Sequence, residues 1–290
     1  MTLAQENGII KKIVFRLARR YIAGPTTESM LRAVRVLNDR GIRTTVTLLN
    51  NNVTDVEKAR YNTNAYMQAI RQISRLGLNC AISIRPTQLG YGTPGEAFAK
   101  NMEALSALAK SSAVGLWIEK EPSVGWRDTV RIYRSTRSHY SGTGIEFAVA
   151  DAGAESWGGA FKREDRVKVR YGKLDPNSVG AGDERAAGSA IPSTKARLTI
   201  ALHDIKNLNR MVRKKRAYKR DLAFEIPLGY NTSKVYRAVK GKADLSVYVP
   251  YGRDWPPYVI NRIAEGRIRR LAMRILDVSN KSGEKNGGKA

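Results

Sequence analysis

Arg85, Glu119 with Glu121, Arg170 with Tyr171, His203 with Asp204, Glu225 and Tyr248 each stand in or just after a short β-branched or apolar run. Such runs read as buried strands. Acids and cations at the ends of several parallel strands would converge on one mouth, where they could hold an ionic substrate. Asn50 to Asn52 and Ala148 to Asp151 occupy comparable strand ends, and the same polar types could equally do no more than solvate a rim. A second set of residues suits another chemistry. Residues 206–220 hold eight basic side chains and no acidic one, namely Lys206, Arg210, Arg213, Lys214, Lys215, Arg216, Lys219 and Arg220. Arg16, Arg19 and Arg20 cluster near the start, and Arg262, Arg267, Arg269, Arg270 and Arg274 near the end. A helix this basic forgoes the i,i+4 acid–base pairs that ordinarily stabilise a surface helix. Arginine suits bidentate contact with phosphate.

The totals favour that second chemistry. Fifty-one Lys and Arg against 26 Asp and Glu leave a formal charge of +25, spread along the chain, with a sequence pI near 10.3. Such a surplus attracts polyanions and predicts nucleic acid as a partner. One cysteine, Cys80, excludes a disulfide framework and fits a reducing, cytoplasmic compartment. With only His139 and His203 besides, a metal centre built on Cys or His is excluded. No apolar run approaches the roughly 20 residues that span a bilayer. The N-terminal stretch lacks a secretory pattern and reads as a basic amphipathic helix within residues 1–25.

The elements that must position these residues alternate in type. Thr26 or Thr27 can cap a helix with Met30, Ala33, Val34 and Leu37 on one face, ended by Gly41. Further helices carry Tyr66, Ala69, Ile70 and Ile73, then Phe98, Met102, Leu105 and Ala109, then Trp126, Val130 and Tyr133. Extended runs fall at 43–49, 80–84, 114–119, 144–150, 166–170, 197–202, 222–228 and 244–249. Eight strands with helices mostly between them predict an α/β fold of the (β/α)8 TIM-barrel type. A doubly wound open sheet competes, but no GxGxxG follows the first strand. One barrel domain is expected over residues 1–279, interrupted by a Gly-, Ser- and Pro-rich stretch at 171–196. A Lys/Gly-rich flexible tail is expected at 280–290.

The segments ISIRPTQLG (82–90), WIEKEPS (117–123), IALHD (200–204), AFEIPLGY (223–230) and VYVPYGRDWPPYVINRIAE (247–265) resemble, in order, those of proline dehydrogenases. RRYIAGPT (19–26) is similar to that family's opening. The resemblance implies a barrel that binds FAD noncovalently and oxidises L-proline by hydride transfer to the flavin. It implies Arg85, Glu119, Tyr248, Tyr258 and Arg262 as proline-pocket positions. It implies His203, Glu225 and Lys168 as flavin-binding ones. Several family positions are substituted. Asn261 replaces one arginine of a carboxylate clamp, Ala148 a flavin-facing glutamine, Tyr171 a lysine and Leu174 a substrate-caging tyrosine.

Losing several site groups together, each worth about 1–3 kcal/mol, should cost many decades in rate. The expectation is therefore a non-catalytic barrel without a cofactor. It would associate with RNA, namely rRNA among neighbouring ribonucleoprotein subunits. The clusters of Arg and Lys named above would dock on phosphates. The alternative is a divergent FAD-dependent proline dehydrogenase with peripheral membrane contact.

Overall fold

Runs of Val, Ile, Leu and Thr form eight strands that close on themselves. The computed structural model describes residues 19–50, 53, 55–148, 158–171, 194–202, 222–229 and 243–264, with 208, 209, 211, 212, 235, 236 and 239 between them. The strands are β1 (Arg43–Leu48), β2 (Cys80–Ile84), β3 (Leu116–Glu119), β4 (Thr143–Ala148), β5 (Arg166–Tyr171), β6 (Arg197–Leu202), β7 (Leu222–Pro227) and β8 (Asp244–Tyr251). They follow one another around a closed barrel in chain order. All neighbours are parallel, and β8 closes on β1 from Arg43 opposite Ser246 to Leu48 opposite Tyr251. A closed ring in chain order is the (β/α)8 barrel expected, and excludes the doubly wound sheet.

The helices described in full are α1 (Thr27–Asn38), α2 (Val56–Arg75), α3 (Ala97–Ser111) and α4 (Trp126–His139); α5 (Trp255–Ala264) follows β8. Helix α1 begins as expected at Thr26, whose hydroxyl accepts from Ser29 N at 3.3 Å while Ser29 Oγ accepts from Thr26 N at 3.2 Å. This reciprocal cap satisfies two otherwise orphaned amides. Met30, Val34 and Leu37 of α1, Tyr66, Ala69, Ile70 and Ile73 of α2, and Met102, Leu105 and Ala109 of α3 are buried. At about 1.5–3 kcal/mol for each large side chain removed from water, these faces bind the helices to the sheet. Their sheet-side partners are Val46, Ile82, Ile84, Ile118, Phe147, Val169, Ile200, Phe224 and Val247, all buried.

One expectation is modified. The N-terminal helix does not extend through residue 25: residues 19–21 form a turn, and Ala23 N bonds to Pro250 O at 2.9 Å, laying the chain against β8. Gly24 has φ +132°, and Pro25 follows it, so helix cannot propagate there. Residues 1–18, most of the Gly-rich stretch and the tail at 280–290 lie outside the described residues. Among those described, no helix is long and apolar enough to cross a membrane.

Candidate active site

Alternate residues of a barrel strand face inward, and here the inward set is unusually polar. Contacts between strands that are not neighbours must cross the lumen, so they identify it. Thr45 Oγ1 of β1 donates to Glu225 Oε2 of β7 at 2.6 Å. Lys168 Nζ of β5 donates to Glu225 Oε1 at 2.7 Å and stands 3.2 Å from Glu146 Oε2 on β4. Ser83 Oγ of β2 lies 3.4 Å from Glu146 Oε2, and Ser246 Oγ of β8 donates to Glu225 Oε2 at 3.1 Å. Where most such barrels pack branched aliphatics, this one holds an ion cluster.

One aromatic residue floors the cluster. Trp117 of β3 has Lys168 Nζ 4.5 Å from its ring centroid and the Arg166 guanidinium carbon at 4.9 Å. Cations over an indole face are attracted by its quadrupole. The ring fits because β4 offers Gly144 beside it: a Cβ there would overlap Trp117 Cζ3.

One layer above, toward the strand C-termini, Glu119 Oε1 receives Arg170 Nη1 at 2.7 Å and Arg85 Nη2 at 3.1 Å. Arg170 Nη2 also donates to Lys120 O at 3.1 Å. The Arg85 and Arg170 side chains keep 24% and 17% of their surface exposed, so these guanidiniums reach the mouth. Glu119 Oε2 is buried with no hydrogen-bond partner among the described residues.

The rim beside Arg85 is held rigidly. Gln88, fully buried in the short turn Pro86–Leu89, accepts from Tyr66 Oη at 2.7 Å and from Arg85 N at 3.2 Å, and donates to Leu48 O at 2.7 Å. Glu121 accepts from Thr87 N at 2.8 Å and Thr87 Oγ1 at 2.7 Å. Asn50 donates to Asn62 Oδ1 at 2.7 Å, so this rim asparagine is structural.

Electrostatics sort the carboxyls. Burial pushes Glu119 up, but Arg85 and Arg170 together outweigh it and hold Glu119 below the usual carboxylate range. Burial pushes Glu146 up, and Lys168 only partly offsets it. Burial also raises Glu121, against its bonds from Thr87. Burial pushes the Lys168 ammonium down, yet Glu146 and Glu225 more than compensate and hold it above the usual value. Tyr248, half-buried and facing Glu119, has its phenol pushed up by desolvation and by that carboxylate, and stays neutral.

Of the residues expected from sequence, Arg85, Glu119 and Tyr248 meet in the mouth, where Glu119 and Arg85 are the groups felt most by the Tyr248 phenol after burial. Tyr258 of α5 is half-buried, packed with Ile22, Leu49 and Val259 and close enough for its phenol to be felt at Tyr248. Lys168 and Glu225 lie in the lumen, engaged with each other rather than presented at the mouth. His203 and the side chain of Arg262 lie outside the described residues. From sequence, Arg170 reads only as a strand-end cation, and Glu146, Thr45, Ser83, Ser246 and Gln88 carry no assigned role. Their signal was the period-two pattern, in which polar residues alternate with apolar ones along strands buried on both faces.

The residues present can be tested against a flavin. Ala148 and Ala201 pair with Arg170 on either side in the barrel register. Two small side chains flanking a guanidinium leave room for a flat ring and offer donors and positive charge to its polar edge. The described part of the mouth therefore fits a flavin ring, with Arg170 as the group to hold it.

The fold is a closed (β/α)8 barrel whose ionic mouth lies at the strand C-termini, the face where such barrels carry their sites. No family model matches the chain. Proline dehydrogenase 1 of Bacillus subtilis subsp. natto is 26% identical over 270 residues, covering 86% of each chain. Proline dehydrogenase 2 of Bacillus subtilis strain 168 is 25% identical over 273 residues, again 86% of each. Proline dehydrogenase of Deinococcus radiodurans is 23% identical over 282 residues, 90% of each. Among solved structures, proline utilization A from Bdellovibrio bacteriovorus, inactivated by N-propargylglycine, superposes with a TM-score of 0.75 at 14% identity, over 89% of this chain. Proline utilization A from Corynebacterium freiburgense gives 0.63 at 14% identity over 91%. The chain spans about a third of those two longer proteins, 33% and 32%. Over most of its length, then, the chain is similar to proline dehydrogenases, and its barrel is of the kind seen in proline utilization A.

These relatives overturn the RNA-associated reading. Nothing among them indicates RNA binding or a ribosomal setting, and the match runs through the strands that build the mouth. The physical error lies in treating net charge as a sign of one partner, and in counting substituted positions as lost chemistry. A mouth that lacks the glutamine at Ala148 still gathers Arg85, Arg170 and Glu119. Of the phosphate-docking residues expected, Arg19 and Arg20 are exposed. Arg16, Lys206, Arg210, Arg213, Lys214, Lys215, Arg216, Lys219, Arg220, Arg267, Arg269, Arg270 and Arg274 lie outside the described residues. The expectation of a barrel without a cofactor receives no support from these relatives.

Proposed function

We propose that the protein is an FAD-dependent dehydrogenase of L-proline or a close cyclic imino acid. The observation that carries this is the match to curated proline dehydrogenases across 86% of both chains. The ionic mouth supports it. Arg85 and Arg170 present guanidiniums to a substrate carboxylate, and charge-assisted contacts of this kind are both strong and directional. The resemblance adds Arg262 from α5. The unpartnered Glu119 Oε2 is an acceptor for the substrate ammonium, and Tyr248 and Tyr258 offer ring faces to the apolar part of the substrate. Bound FAD would supply the two-electron acceptor for a hydride from the ring carbon beside the nitrogen. The substrate ammonium gives up one proton in the same conversion, leaving a cyclic iminium, which loses a second proton to become the imine. Arg170, with Ala148 and Ala201 beside it, would hold the flavin ring, and His203 is carried over from the resemblance.

The buried free thiol of Cys80 suits the cytoplasm. The +25 charge suits a peripheral contact with an anionic membrane surface, where a lipid-soluble acceptor could take the electrons. Co-flotation with phosphatidylglycerol vesicles, and not with phosphatidylcholine ones, is the expected result; equal behaviour with both refutes the contact. The activity itself is tested by loading the purified chain with FAD and following reduction of an artificial dye. L-Proline-dependent reduction, lost in Arg85→Met, is expected. A chain that binds FAD and reduces no dye with proline or its ring homologues refutes the proposal.

A further inference from the structure

Among the described residues, Glu119, Glu146 and Glu225 share the lumen and mouth with Arg85, Lys168 and Arg170, but they are not equally served. Glu119 Oε1 has Arg170 at 2.7 Å and Arg85 at 3.1 Å. Glu225 has Lys168 at 2.7 Å and the hydroxyls of Thr45 and Ser246 at 2.6 and 3.1 Å. Glu146 has Lys168 at 3.2 Å, Arg170 at 3.5 Å and Ser83 Oγ at 3.4 Å. Both of its cations are held closer by another carboxylate, and its side chain is only 3% exposed. An anion out of water needs full compensation or a proton.

We infer that Glu146 is the proton-binding group of the lumen, and that it takes up a proton when a carboxylate enters the mouth. Among the described residues, the charged and titratable groups facing it are Glu119 from β3, Lys168 and Arg170 from β5, Glu225 from β7 and Tyr248 from β8. Burial already pushes the Glu146 carboxyl up while its neighbour Glu119 is held down. A carboxylate seated on Arg85 and Arg170 draws on the guanidinium that Glu146 shares and adds a like charge above it. Both effects raise the proton affinity of Glu146. Linkage makes the effect reciprocal, so a neutral Glu146 favours the bound anion. At full coupling the dissociation constant falls about tenfold for each unit drop in pH. Glu146 acts here as a positioning residue for charge, not as a catalytic residue. The coupling rests on the proposed imino-acid substrate, while the proton site itself rests on the ion geometry.

The experiment uses the full chain loaded with FAD and the oxygen isostere of proline, L-tetrahydrofuran-2-carboxylate, which has no amine to oxidise. Binding is measured by calorimetry near neutral pH in two buffers of different ionisation enthalpy. Net proton uptake is expected in the wild type and in Glu121→Gln, whose carboxyl is also raised, and it should vanish in Glu146→Gln. Binding with a buffer-independent enthalpy, or uptake that survives Glu146→Gln, overturns the inference while leaving the proposed activity intact. Absence of any binding counts against the proposed activity instead, and a second measurement then decides on Glu146. The infrared carbonyl band of a neutral carboxylic acid should persist in the ligand-free protein above the pH at which exposed carboxyls ionise, about 4. It should disappear in Glu146→Gln. A band absent from the wild type, or unchanged in the variant, overturns the inference.

Discussion

Replacing Lys168 by Met probes the lumen most sharply. Lys168 is fully buried, and its two partner carboxylates expose 2% and 3% of their side chains. Removing one member of a buried ion pair costs about 3–5 kcal/mol, chiefly because the survivor is left charged and out of water. The carboxyls can escape that state only by binding a proton. From an ordinary glutamate pKa of about 4.3, holding a proton at pH 7 costs about 1.4 kcal/mol per pH unit, or about 3–4 kcal/mol in all. The two estimates agree. At pH 5 the same proton costs only about 1 kcal/mol. The sign follows from linkage: in the variant the folded-state pKa of the glutamates lies above the unfolded value. Stability is then greatest at low pH and is lost as pH rises toward the folded pKa. Urea unfolding of wild type and Lys168→Met at pH 5 and pH 7 checks this. The expected penalty is about 3–5 kcal/mol at pH 7 and about 1–2 kcal/mol at pH 5. The apolar triple variant Lys168→Met, Glu146→Leu, Glu225→Met should recover most of the loss, since whole buried ion clusters are often replaceable. A penalty below about 1 kcal/mol at pH 7, or one equal at both pH values, refutes the reasoning.

Three further outcomes are expected. Gly144→Ala places a methyl against Trp117 and should destabilise by about 1–3 kcal/mol, with Trp117→Leu in the same chain relieving it; thermal melts of the single and double variants decide. Glu119→Gln removes the negative charge shared by two guanidiniums, and kcat/KM for proline should fall about 10- to 100-fold with the far-ultraviolet circular dichroism unchanged. Burial pushes the Cys80 thiol up to about 12, so a thiol reagent at pH 8 should modify it only after unfolding; rapid labelling of the native chain would contradict its placement in β2.

Much of the barrel was legible because buried parallel strands leave short β-branched runs and their helices leave apolar faces. CAISI at 80–84 and RLTIAL at 197–202 form β2 and β6 with the boundaries expected. Arg85, Glu119 and Tyr248 could be placed at the mouth because strand ends define it. Glu146 could not be read as a site residue from its neighbours alone, since a lone acid in GIEFA is ambiguous until its strand's register is known. Register turns it inward, opposite Lys168 on β5. Arg170 was legible as a strand-end cation, but its partnership with Glu119 was not. A site compared position by position records what each substituted residue has lost, but not that a guanidinium from another strand now stands in the same mouth. The surplus of basic residues misled because net charge carries no address: it attracts any polyanion equally.

The central claim is that this mouth still oxidises an imino acid. The direct measurement is to mix the FAD-loaded chain with L-proline without oxygen or any other acceptor, and to record the visible spectrum. Loss of the oxidised-flavin absorption, dependent on proline concentration and absent with glycine, is the expected result. A flavin that remains oxidised in the presence of saturating proline would contradict the account.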